Sequence, residues 1–245
     1  MTGSATLGSE RPRPGAFDRL GAARPDVVLM APFMTYLVLL GLAGVVPAVW
    51  QPVVIALRGV ASLSAVWVFR RHLPPWGAPY WPVAIFGGAI VAWGWVAGQY
   101  LSDQLGLPRW LPFYPGGGEP TDFRTALGAD DLLWTTWTLR LIVACTAVPV
   151  VEELFWRGFL LRALIDWHHF ERVPLGTFTW ASFLGTSLLS MLQHPGNWGV
   201  SVLCWMVFNL VFYRTRSLLC LVLLHGATNL VLYLIVLRVG DWTFI

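Results

Sequence analysis

An all-α fold that crosses a membrane several times is predicted for this chain, on three observations. Of its 245 residues, 56% are hydrophobic and 12% charged, against about 25% charged in ordinary soluble domains. Apolar runs long enough to cross a hydrocarbon layer of ~30 Å recur from end to end. The sixteen basic residues are all Arg, and most lie in short connectors between the runs. Basic residues so placed set topology and do not build a nucleic-acid surface.

Taken in order, the runs fall at about 28–47, 52–69, 82–101, 132–151, 177–194, 198–213 and 217–237, which predicts about seven spans. Pro47, Pro52, Pro74, Pro75 and Pro108 punctuate the connectors, and Trp50, Trp81, Trp110, Trp134 and Trp198 lie near run ends as an aromatic belt does. Residues 1–26, with Arg11, Arg13, Arg19 and Arg24 among Pro and Gly, are predicted to be a disordered cytoplasmic tail, and 27–245 a single transmembrane domain. No A-x-A-like site follows the first run, so that run reads as an uncleaved anchor. Cys145, Cys204 and Cys220 sit in apolar runs without a C-x-x-C pair and read as inert buried thiols. Gly94 and Gly98 have the small-xxx-small spacing of a helix contact. The 102–131 connector, acidic and carrying Gly116-Gly117-Gly118, reads as a flexible loop.

Polar side chains inside such spans need a reason, because the backbone satisfies itself and charge at membrane depth is costly. Glu152, Glu153 and Arg157 extend the fourth run, Gln193 and His194 end the fifth, Asn209 lies in the sixth, and His225 and Asn229 share one face of the seventh. Arg58 and Arg140 also fall within runs. Glu153 and Arg157, four apart, can pair on a helix. Glu152 points about 100° away and is left without a partner, as suits a general base. His225 and Asn229 are two donors that an oxyanion could use. H-E-x-x-H and G-x-S-x-G motifs are absent.

Glu152-Glu153-Leu-Phe-Trp-Arg157 and His225-Gly-Ala-Thr-Asn229 resemble the E-E-x-x-x-R and H-x-x-x-N motifs of the CPBP (CAAX protease, or Abi) intramembrane endopeptidases. FERVPLGTFTW and YRTRSL look like the bacterial CAAX prenyl protease-related subgroup, which is associated with PEP-CTERM exosortase systems. The resemblance covers about residues 130–240. It implies that Glu152 activates water, that His194 helps to hold it, that His225 and Asn229 line an oxyanion hole, and that Glu153 and Arg157 orient the site. Ser190 stands where the motif before His194 has Phe. It further implies hydrolysis of a peptide bond in a membrane-embedded or lipidated protein, in the inner membrane, with no cofactor and no nucleic acid.

Two alternatives stay open at this level. In one, Glu152, His194 and His225 form a His₂Glu zinc site. In the other, the chain is a non-catalytic immunity or scaffold protein that binds a hydrophobic peptide. Depth adds a further expectation: His194 meets the other residues only if the fifth helix starts late, near Thr179, and ends in a turn.

Arg11, Arg13, Arg19, Arg24, Arg70, Arg71, Arg157, Arg162, Arg172, Arg214 and Arg216 fall on one side of the predicted spans, against Arg109, Arg124 and Arg238 on the other. The bias predicts N-in, C-out. A reporter active only in the cytoplasm, fused after Ile245, should therefore be silent; strong activity would overturn the orientation.

Overall fold

The computed structural model describes residues 15–112, 114, 123–128 and 130–244. Its α-helices are α1 (Ala16–Ala23), α2 (Pro25–Ala43), α3 (Gln51–Val68), α4 (Trp81–Gln104), α5 (Phe123–Leu127), α6 (Asp130–Cys145), α7 (Ala147–Glu153), α8 (Leu161–Ala163), α9 (Trp180–Gln193), α10 (Trp198–Thr215) and α11 (Leu218–Val239). Leu154–Leu160, between α7 and α8, is a π-helix. The described residues contain no strand, in line with the all-α prediction. Five of the helices are long and apolar enough to cross a membrane: α2, α3, α4, α10 and α11.

The other two predicted runs are helical but broken or short. α6 stops at Cys145 because Thr146 leaves helical geometry (φ −121°, ψ −73°), and Pro149 has no N–H to offer the Cys145 carbonyl. α9 has only 14 residues. It begins as depth required: Thr179 is its N-cap, accepting from the Ser182 N–H at 3.1 Å. A 3₁₀ turn over Pro195–Asn197 follows directly.

Order also begins earlier than predicted. Residues 16–23 form α1 where a disordered tail is expected, because Asp18 lies 3.6 Å from His72 and 3.7 Å from Arg71, and Phe17 packs edge-on against Phe69. Residues 1–14, like the Gly116–Gly118 run of the acidic connector, lie outside the described residues.

The core joins α2, α4, the π-helix, α10 and α11 through Val28, Leu154, Phe208, Phe212, Leu221 and Leu224, all fully buried. The close contact between α4 and α11 is made by Gly88, where a Cβ would fall 2.7 Å from both the Ala227 Cβ and the Leu224 carbonyl. The Gly94–Gly98 spacing does not make that contact: nothing lies within 4 Å of a Cβ at Gly94, and only Val200 faces Gly98. Spacing identifies small residues, but which neighbour they meet depends on how the helix is rotated.

Gly88→Val should consequently force α4 and α11 apart and destabilise the fold by about 1–3 kcal/mol. Gly94→Ala should be neutral, or stabilising by up to ~1 kcal/mol through helix propensity. Thermal denaturation of the two purified variants in one detergent separates these outcomes.

Candidate active site

The π-helix that follows the glutamate pair widens the turn carrying Arg157, and such turns recur at functional sites. Glu153 and Arg157 are both completely buried. Arg157 Nη1 lies 3.0 Å from Glu153 Oε2, so the predicted i,i+4 pair is formed. The guanidinium also donates from Nε to Asn209 Oδ1 at 3.2 Å and sits 5.5 Å from the ring centroids of both Trp205 and Phe208. Asn209 Nδ2 in turn reaches Thr186 Oγ1 at 2.9 Å and Ser187 Oγ at 3.2 Å. One buried charge pair thereby links the π-helix to α9 and α10.

From α11, His225 Nδ1 lies 3.0 Å from Glu153 Oε1. A carboxylate only accepts, so Nδ1 carries the proton and Nε2 is left for other work. Glu152, turned away as predicted, accepts from Gln193 Nε2 through Oε1. Gln193 is held by the Trp156 indole N–H, which donates to Gln193 Oε1 at 3.0 Å. The second oxygen of Glu152, Oε2, is buried and has no hydrogen-bond partner among the described residues.

His194 caps the end of α9 and is held between two indoles, with ring centroids 5.4 Å from Trp95 and 5.3 Å from Trp205. Ser190, in place of an aromatic residue, donates to the Ser187 carbonyl at 2.7 Å and accepts from Ser201 Oγ at 2.8 Å. A hydrogen bond between α9 and α10 thus occupies the place where the motif has aromatic packing. Asn229 Nδ2 donates to the Ala144 carbonyl at 2.7 Å, just before the break in the fourth run.

Glu152, His194, His225 and Asn229 line one cavity of about 730 Å³. Three separated segments of the chain thus contribute to the wall of one cavity. Two details differ from the expected paired donors. His225 spends its Nδ1–H on Glu153, which leaves Nε2 as an acceptor in the neutral ring, and Asn229 spends one amide hydrogen on Ala144 and keeps the other. Among the described residues, no three His, Cys, Asp or Glu side chains are grouped to hold a metal ion.

Sequence reasoning noted Gln193 and Asn209 as polar residues out of place but assigned them no role. Both turn out to be partners of the charged motif. The available signal was position: Gln193 directly precedes His194, and Asn209 stands alone in an apolar run.

Residues 134–231 match the model of a family described as type II CAAX prenyl endopeptidase Rce1-like. The motif-bearing segment is therefore similar to that family. Glu152, Glu153, Arg157, His194, His225 and Asn229 all fall inside it, and the match bears out the resemblance to the CPBP proteases. Neither a curated protein nor a solved structure matches the chain. The similarity is thus to a protease family, and it lies in a chain with five helices long and apolar enough to cross a membrane.

Removing Arg157 would strand the Glu153 carboxylate in the core. Arg157→Met should cost about 3–5 kcal/mol, and adding Glu153→Gln should restore a large part of it, because what destabilises is the unpaired charge. Thermal denaturation of both variants measures the difference; no recovery in the double variant would contradict it.

Proposed function

We propose that the protein is a glutamate-type intramembrane endopeptidase that hydrolyses a peptide bond in a membrane-embedded or lipidated protein. The observation that carries this reading is the partnerless Oε2 of Glu152, facing a cavity whose wall also holds His194, His225 and Asn229.

Glu152 takes a proton from water as it attacks the substrate carbonyl, and later returns it to the departing amine. Gln193, fixed by Trp156, holds the other carboxylate oxygen, so that Oε2 keeps one orientation. His194 provides a second contact for the water. The oxyanion is received by the remaining Asn229 N–H and by His225 Nε2, which donates only while the ring carries both protons. Glu153 orients the His225 ring through Nδ1, and Arg157 keeps the Glu153 carboxylate in place. Away from bulk water each of these interactions gains strength.

The family description supports a membrane-associated, prenylated substrate. The arginine bias supports N-in, C-out insertion in the inner membrane, and the subgroup resemblance supports action alongside PEP-CTERM and exosortase components.

Glu152→Gln preserves size and the bond to Gln193 and removes the base. It should lower cleavage of a prenylated or membrane-embedded reporter protein by about 10²–10⁴-fold while the protein stays folded. His194→Ala should cause a comparable loss. A Glu152→Gln enzyme that cleaves at the wild-type rate would sink the assignment.

A further inference from the structure

The proposed site lies nearer to one end of the bundle than to the other, and the shorter way in is closed. His225 is seven residues from the start of α11 and fourteen from its end, about 10 Å and 21 Å along the axis. On the near side of the Glu153–Arg157 pair, Val28, Leu161, Phe212, Leu218, Leu221 and Leu224 are fully buried in one core. The connectors at that end are tied together as well. The Leu219 N–H donates to the Trp76 carbonyl at 2.7 Å, and Ser217 Oγ donates to the Ala78 carbonyl at 2.6 Å.

The cavity takes the longer way. Its wall runs from Glu152 and His225 to Gln51 beside the α2–α3 turn, Tyr114 of the 102–131 connector and Thr243 beyond α11. These last three belong to one end of the bundle, where Arg109 Nη1 also donates to Thr243 Oγ1 at 2.7 Å. Among the described residues, none of 69–79, 164–179 or 214–217 lines the cavity. The two ends differ in charge. Arg70, Arg71, Arg172, Arg214 and Arg216 belong to the closed end, and Arg109, Arg124 and Arg238 to the open one. By the positive-inside bias the closed end is the cytoplasmic one.

We propose that Glu152 is reached from the outer face of the membrane, so that the scissile bond belongs to a segment already carried across the bilayer. The class of reaction that supplies the substrate is therefore protein export, and cleavage follows it. A segment still in the cytoplasm meets only the packed core. The proposal rests on the peptidase reading for the reaction and on the arginine bias for the side, but the direction of access is measured without any cleavage.

The probe is a membrane-impermeant sulfonated maleimide, applied to spheroplasts of a bacterial host that hold the full-length protein in the inner membrane. A thiol reacts as the thiolate, so labelling marks positions that water reaches. Tyr114→Cys at the mouth, and the near-isosteric Val148→Cys and Thr228→Cys on the cavity wall, should be labelled in intact spheroplasts above the background of Cys145, Cys204 and Cys220 in the parent chain. Arg172→Cys, at a position exposed on the closed end, should be labelled only after lysis. The reverse pattern, or cavity positions that stay unlabelled both before and after lysis, overturns the proposal. Adding Glu152→Gln should leave the pattern unchanged. Of two forms of a membrane-embedded reporter protein, one whose cleavable segment is exported and one whose segment is retained in the cytoplasm, only the first should be cut. Cleavage of the retained form also overturns the proposal. Cleavage of neither removes the peptidase reading, while the labelling still decides the direction of access.

Discussion

The carboxylate of Glu153 has no exposure to solvent and is shared between Arg157, four residues along the same helical stretch, and His225, on α11. Taking a carboxylate and a guanidinium out of water costs several kcal/mol for each ion, a cost offset by their mutual attraction and by the hydrogen bonds around them. Asn209 accepts from Arg157, Thr186 and Ser187 accept from Asn209, and two aromatic rings flank the guanidinium. These partners come from three helices, so satisfying one charge pair fixes how α9, α10 and α11 approach the π-helix. Glu152 owes its direction to this arrangement. With Glu153 anchored inward, the adjacent residue has to face the cavity.

The break in the fourth run is the second constraint. Pro149 removes a donor, and α11 covers the weakened segment in two ways: Gly226 brings its backbone against the Cys145 carbonyl, where a Cβ would lie at 2.8 Å, and Asn229 donates to Ala144. The H-x-x-x-N spacing thus has two structural roles one turn apart. His225 completes the charge cluster, and Asn229 completes the backbone of a neighbouring helix. Both residues also line the same cavity.

Features governed by local spacing were legible in the sequence. The Glu153–Arg157 pair, the divergence of Glu152, the late start of α9 at Thr179 and the shared face of His225 and Asn229 all follow from helical geometry within a few residues. Features that join distant segments were not. Nothing in the E-E-x-x-x-R stretch indicates that Glu153 accepts from a histidine on α11, or that Gln193 donates to Glu152. The helix pattern misled where hydropathy averages over a local break: residues 132–151 read as one apolar run, while Thr146 and Pro149 divide it in two. Small-residue spacing singled out Gly94, which faces open space, and passed over Gly88, which makes the contact.

The charge cluster also bears on how the chain enters the bilayer during synthesis. Glu153 and Arg157 are made together, whereas His225 follows about 70 residues later, a delay of several seconds at roughly 5–20 residues per second. Through that interval the fourth run has to be accepted into lipid without the helix that will complete it. Because the two opposite charges stand one turn apart on the same segment, they neutralise each other as soon as that turn forms. The insertion machinery therefore meets a nearly neutral helix, and the later helices add specificity to a pair that is already viable in the membrane.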